Sequence, residues 1–199
     1  MFQLPKDPKK IRERIRRYER TLRQEYKDTG FISDGYGKRY LLGPLYMILG
    51  DTEGALKSFT WFAETFPDDI GEPIQYLCWT LALFRAGDLK AATEKLRQTM
   101  LSNLYVIPHL LGQEQEELDI WHGSNIKEKA YLEYIPPEIF ELWDEAALQW
   151  AKETYDSPEL RLVRGRYIEI YRSLKTEPAG PKRSQLVREA RNLQWGELG

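Results

Sequence analysis

The chain of 199 residues contains one cysteine, Cys78, and two histidines, His109 and His122. A single thiol excludes a disulfide framework and a thiolate metal site. With Leu77 and Trp79 on either side, Cys78 is expected to be a small core residue rather than a nucleophile. The histidines lie thirteen residues apart, which matches no short zinc-binding spacing. No run approaches the roughly 18 apolar residues of a membrane span. The opening stretch MFQLPKDPKKIRERIRRYER is charged where a secretory signal needs an apolar core. These absences point to a cytoplasmic protein with no membrane partner. There is also no phosphate-binding loop, nucleophile elbow or dinucleotide fingerprint, and no strand-like alternation. No cofactor, catalytic residue or metal ligand is therefore assigned.

What is present is helical periodicity and uneven charge. The net charge is only -2, yet ten Lys or Arg face four acids between Lys6 and Lys27. Residues 101–160 hold thirteen acids against three lysines, and residues 161–199 return to nine bases against four acids. Ile11, Ile15, Tyr18, Leu22 and Tyr26 recur at spacings of four, three, four and four, one buried stripe of a basic first helix ending near Gly30. Ser33 or Asp34 is expected to cap a second helix running to about Leu49, with Pro44 making it the least regular element. Gly50-Asp51 turns the chain into a third helix, Thr52 to Phe66, stopped by Pro67. A fourth helix opens at Pro73, and Gly87-Asp88 turns it into a fifth from Leu89 to Leu101. The two turn glycines are 37 residues apart.

The run Tyr40 to Pro67 carries Leu42, Gly43, Tyr46, Ala55, Phe59 and Pro67 at offsets that resemble the tetratricopeptide repeat family, with Arg39 where that pattern has tryptophan. Tyr76, Trp79, Thr80, Leu83, Ala92 and Leu96 form a weaker second unit. Small residues at Gly43 and Ala55 let two helix backbones approach, while Tyr46, Phe59 and Phe62 fill the crossing. The resemblance implies stacked hairpins with a concave face that includes Tyr40, Met47, Ile74, Leu77, Leu81 and Phe84. Family members that hold acidic peptide tails use Lys, Arg and Asn on that face; this sequence supplies apolar side chains, so an internal helix or a partner's apolar helix is expected to fill it.

Beyond the apolar connector NLYVIPHLLG, Pro136-Pro137 is expected to start one helix carrying Ile139, Phe140, Trp143, Ala146, Ala147 and Trp150. Ser157-Pro158-Glu159 caps another helix, and Leu186, Val187, Ala190 and Leu193 mark a short last one. The connector, a Gly-Ser turn and a tryptophan-rich helix resemble the tail of bacterial tetratricopeptide-like proteins of unassigned activity. The fold expected is a single all-α domain of about seven to nine helices. It comprises a basic N-terminal helix (1–30), two stacked antiparallel hairpins (36–101) and a helical C-terminal extension (102–199), the ends capping the array.

Three functions follow in order. The first is a non-catalytic scaffold binding a protein or peptide. The second is nucleic-acid binding through the basic face of Arg12, Arg16, Arg20 and Arg23, a case that the interleaved Glu13, Glu19 and Glu25 weaken. The third is an enzyme using the acidic segment 114–145, where Glu138, Glu141 and Glu145 would share a helix face. Glu114, Glu116, Glu117 and Asp119, lying between the histidines, read as a solvated acidic loop ahead of an oxygen-rich metal site.

Overall fold

A computed structural model describes residues 7–113 and 115–196. Lys6 of the basic stretch and Glu114 of the acidic segment lie outside the described residues. The protein is all-α: among the described residues there are ten α-helices and two short 3-10 turns, Asn125–Lys127 and Lys129–Tyr134. The helices are α1 (Pro8–Thr29), α2 (Lys38–Ile48), α3 (Thr52–Thr65), α4 (Pro73–Arg85), α5 (Leu89–Ser102), α6 (Val106–Leu110), α7 (Pro137–Phe140), α8 (Glu145–Tyr155), α9 (Pro158–Leu174) and α10 (Pro181–Trp195). Their number exceeds the expected seven to nine because α6 and α7 are short helices in stretches read as connector and as part of a longer helix.

Local chemistry explains most boundaries. The Asp7 carboxylate accepts from the backbone N–H of Lys9, Pro8 sits in the first turn of α1, and Gly30 closes the helix at φ 76°. Asp34 does not cap α2 directly. It adopts φ 44° and accepts from the backbone N–H of Arg39 at 2.7 Å, so the helix begins later, after Gly37. Pro44 leaves α2 continuous from Lys38 to Ile48, correcting the expected irregularity. A second correction concerns Pro136 to Trp150, which is not one helix. Asp144 accepts from Ala147 N–H and starts α8 afresh, leaving α7 as a single turn. Glu138 and Glu145 therefore lie on different helices, and Glu141 is the residue that ends α7. The carboxylate face proposed for acid-base chemistry is not formed.

The turns at Gly50 and Gly87 close in the same way. Gly50 N–H donates to Met47 O and Asp51 N–H to Tyr46 O, both at 3.0 Å; Gly87 N–H donates to Phe84 O at 3.0 Å and Asp88 N–H to Leu83 O at 3.1 Å. Both glycines are left-handed, at φ 73° and 80°. Each aspartate then caps the next helix, Asp51 through Gly54 N–H and Asp88 through Ala91 N–H.

The chain groups into two compact units. The first comprises the chain up to Ala92 with Ile135–Leu142. Within it α2 packs against α1, α3 and α4, α3 against α4, and α7 against α2. Gly43 makes the α2–α3 crossing possible: a Cβ there would lie 2.0 Å from Cε1 of Phe59. Phe59 is fully buried and stacks on Trp79 with ring centroids 5.2 Å apart. In the same unit, Asp69 accepts from Arg39 Nε and Nη2 at 2.9 and 2.7 Å, from the Tyr40 hydroxyl and from Gly71 N–H.

The second unit comprises Thr93–Tyr134 and the chain from Trp143 onward, with α9 packed against α8 and α10. Asn103 fastens its irregular segment, donating to Ile126 O and Glu128 O and accepting from Tyr105 N–H. Half-buried Lys95 in α5 donates to Gln98 Oε1 at 2.6 Å, and burial lowers its ammonium from the ordinary 10.5 to about 8. Between those values the unfolded chain holds a proton that the folded chain has released, so stability rises with pH. Lys95→Met is expected to gain on the wild type at pH 7, with the gap shrinking by about 1–2 kcal/mol by pH 9.5. Urea titrations at the two pH values measure this; an unchanged gap would show that the ammonium is not desolvated.

Candidate functional site

The face inferred from the hairpin pattern is placed largely in the interior. Met47, Leu77 and Leu81 have no exposed surface, Ile74 is also buried, and Tyr40 and Phe84 are half-buried. The Tyr40 hydroxyl is tied to Asp69, and burial, then that carboxylate, pushes it up to about 12. Cys78 is buried in α4, where desolvation raises its thiol well above the ordinary range.

An open concavity of the first unit lies elsewhere, as a trough of about 740 Å³ between α1 and α3. Glu19, Leu22, Arg23 and Tyr26 line it from α1; Ile32 comes from the following loop, and Leu42 and Tyr46 from α2. The facing wall is α3, with Gly54, Lys57, Ser58, Trp61 and Thr65. Those α3 positions span three helical turns, about 16 Å at 1.5 Å per residue.

Each wall has a local origin. Gly54 leaves room for the Tyr46 ring, whose Cδ1 would lie 2.6 Å from a Cβ at that position. The Tyr46 hydroxyl donates to Glu19 Oε1 at 2.7 Å, and Glu19 also accepts from Arg23 at 3.1 Å. Burial, followed by the Glu19 carboxylate, raises the Tyr46 phenol well above its usual range, so it remains a neutral donor. Trp61 meets Phe66 edge-on, with centroids 5.6 Å apart and planes at 88°. Tyr26 continues the apolar stripe of Ile11, Ile15 and Leu22, yet it is 59% exposed at the trough's edge.

Charge divides the two walls. On α3, Lys57 pairs with Glu53 at 2.6 Å. On α1, Arg12, Arg16, Arg20 and Arg23 are exposed, and only Arg23 of these four makes an ion pair among the described residues. The glutamates expected to neutralise this face are partly engaged elsewhere: Glu19 by Tyr46, and Glu25 by the backbone N–H groups of Ser33 and Asp34. Arg12, Arg16, Glu19, Arg23 and Tyr26 follow one another at spacings of four, three, four and three, so the basic strip continues the α1 wall of the trough.

The second unit contains a compact polar cluster in which Lys127 donates to the Tyr167 and Tyr171 hydroxyls at 2.7 and 2.8 Å. Burial and the neighbouring Tyr171 raise the Tyr167 phenol well above its ordinary value, so it offers no base near neutral pH. The space beside the cluster is about 10 Å³, enough for no more than a water. Its geometry fastens the irregular segment to α9. His122 bonds Tyr105 at 3.1 Å, whereas His109 is exposed on α6. Among the described residues no group of three or more His, Cys, Asp or Glu is placed to hold a metal ion. Asp119 pairs with Lys175, which lowers its carboxyl, and Gln115 accepts from Arg164. No helix of the described residues is long and apolar enough to cross a membrane.

No family model matches the chain, and no curated protein or solved structure does either.

Of the residues lining the trough, the sequence assigns Arg23 to a binding face and Leu22 to a buried stripe, and gives no binding role to Trp61, Ile32 or Lys57. A signal for one of them was present. Ala55, Phe59 and Phe62 complete the hairpin face of α3, leaving Trp61 as a large aromatic for which that face has no place.

Proposed function

We propose that this chain is a non-catalytic helical scaffold that binds other proteins, built on tetratricopeptide-like hairpins and using the α1–α3 trough as its docking surface. The observation that carries this reading is the trough itself. It is elongated and open, floored by Leu22, Ile32, Leu42 and Trp61, and edged by charged side chains. An apolar centre within a polar rim is the anatomy of a protein interface. Its three-turn length suits an extended partner better than a compact metabolite.

The test exploits two exposed tyrosines. Tyr26, at the trough, is 59% exposed and Tyr36, outside it, is 89% exposed, so a glutamate at either position leaves the core untouched. Affinity capture from source cells is expected to recover the same partners with wild type and Tyr36→Glu, and to lose them with Tyr26→Glu. Identical partners from all three would remove the trough from this role.

A second reading, nucleic-acid binding through the first helix, is favoured by the exposure of Arg12, Arg16 and Arg20 without ion pairs among the described residues. Fluorescence anisotropy with single- and double-stranded probes tests it. Binding that falls steeply with salt and disappears in Arg16→Glu with Arg20→Glu would support it. No binding at low salt rejects it.

A further inference from the structure

Resting on the docking role of the trough, we infer the chemistry of its occupant: an amphipathic helix with bulky apolar residues on one face and acidic residues along the edge that meets α1. Three observations converge on this partner. The α3 wall repeats at helical spacing, from Gly54 through Lys57 or Ser58 and Trp61 to Thr65. A second helix laid along it would present side chains at i, i+3 or i+4, i+7 and i+11. The floor is apolar, so the buried side chains of the incoming helix must be apolar too.

The walls differ in charge. Lys57 on the α3 side is neutralised by Glu53, whereas Arg12 and Arg16, which continue the α1 wall, have no ion-pair partner among the described residues. Glu19, the acid nearest the trough on α1, already accepts from Tyr46 and Arg23. An incoming helix therefore meets the Lys57–Glu53 pair on one side and the Glu19–Arg23 pair on the other, with the exposed Arg16 and Arg12 continuing the α1 wall beyond that pair. Acidic residues facing α1 would pair with that strip while the apolar face fills the trough. Nucleic acid would use the arginines but leave the half-buried Ile32 and Trp61 and the open ring of Tyr26 uncovered. One acidic amphipathic helix satisfies both features at once.

The experiment uses the full chain and three fluorescein-labelled helical peptides. Each carries Leu and Phe at the i, i+4, i+7 and i+11 positions, and one flank is occupied by Glu, Gln or Lys. Anisotropy titrations at 50 mM NaCl are expected to give the Glu peptide an affinity about tenfold higher than the Gln peptide, and the Lys peptide the weakest. The preference should shrink at 500 mM NaCl, where exposed charges are screened. Replacing Arg12 and Arg16 by Glu should abolish or reverse the Glu preference while the Gln peptide binds as before. Tyr26→Glu should weaken the Glu and Gln peptides alike.

Equal binding of Glu and Gln peptides, both sensitive to Tyr26→Glu, would overturn the acidic edge and leave the docking role intact. Failure of all three peptides overturns the helical occupant, although partners captured through the trough would still uphold that role. An oligonucleotide that binds through Arg12 and Arg16 and is insensitive to Tyr26→Glu would assign the strip to nucleic acid and overturn the inference. So would a concentration-dependent dimer, seen by sedimentation and abolished by Tyr26→Glu, because a second copy would then be the occupant.

Discussion

Gly43→Ala should destabilise the protein although alanine is the better helix former. The gain in propensity is about 1 kcal/mol, but the added methyl would sit 2.0 Å from Cε1 and 2.4 Å from Cζ of Phe59. The ring has nowhere to retreat: it is fully buried and stacked on Trp79 at an interplanar angle of 8°. Overpacking of this kind costs about 1–3 kcal/mol, and Gly43→Leu should cost more. Thermal and urea unfolding measure both. The mechanism has its own signature in a double mutant. Phe59→Ala alone should lose about 3–5 kcal/mol, yet combining it with Gly43→Ala should cost clearly less than the sum, since the new methyl then enters vacated space. Additive losses would show that Gly43 is required for some reason other than the ring.

Asp69→Ala should have a comparable effect by a different route. The Arg39 guanidinium donates to Asp69 through two nitrogens while lying 4.5 Å over the Tyr40 ring and 4.8 Å over the Phe66 ring. Removing the carboxylate leaves that cation with Asp34, 3.6 Å away, and the Ser33 carbonyl, and takes the acceptor from the Tyr40 hydroxyl and from Gly71 N–H. With side-chain exposures of 15% and 13% for the pair, the loss should be about 2–3 kcal/mol. Asp69→Asn keeps an acceptor for one donor and should lose less. Urea unfolding of the two variants decides the matter, and a silent Asp69→Ala would mean that water replaces the carboxylate at no cost.

The sequence carried the helices well where their ends are marked by local chemistry. Pro8 and Gly30, Ser157 and Pro158, and the Gly50 and Gly87 turns all act within a few residues, and each lies where the pattern placed it. The break at Asp144 was also written locally, in an N-cap residue followed by Glu145. The apolar series from Ile139 to Trp150 concealed it by matching one continuous helix. Pro44 shows the opposite case, in which a local penalty is absorbed by packing: Gly43, Pro44 and Leu45 are all buried in the middle of α2.

The trough was not legible for a more general reason. Periodicity says which face of a helix is apolar, but not which part of that face a neighbour leaves uncovered. Tyr26 belongs to the same stripe as Ile11, Ile15 and Leu22, yet those three are buried and Tyr26 is open. Only the positions of α2 and α3 decide that. The engagement of Glu19 with Tyr46 and of Glu25 with the following loop likewise depends on contacts across 27 and up to 9 residues, so a count of charges along α1 understates how basic its outer face is.

The matching closures at Gly50 and Gly87 bear on how this scaffold could be lengthened. Residues 51–87 begin with a capping aspartate and end with a left-handed glycine, and Asp88 follows in the same role as Asp51. A duplicate of this cassette inserted after Gly87 would enter and leave through backbone of the conformation already present at each seam. The junction needs no new linker, which makes this interval a graft point for adding a further helix pair.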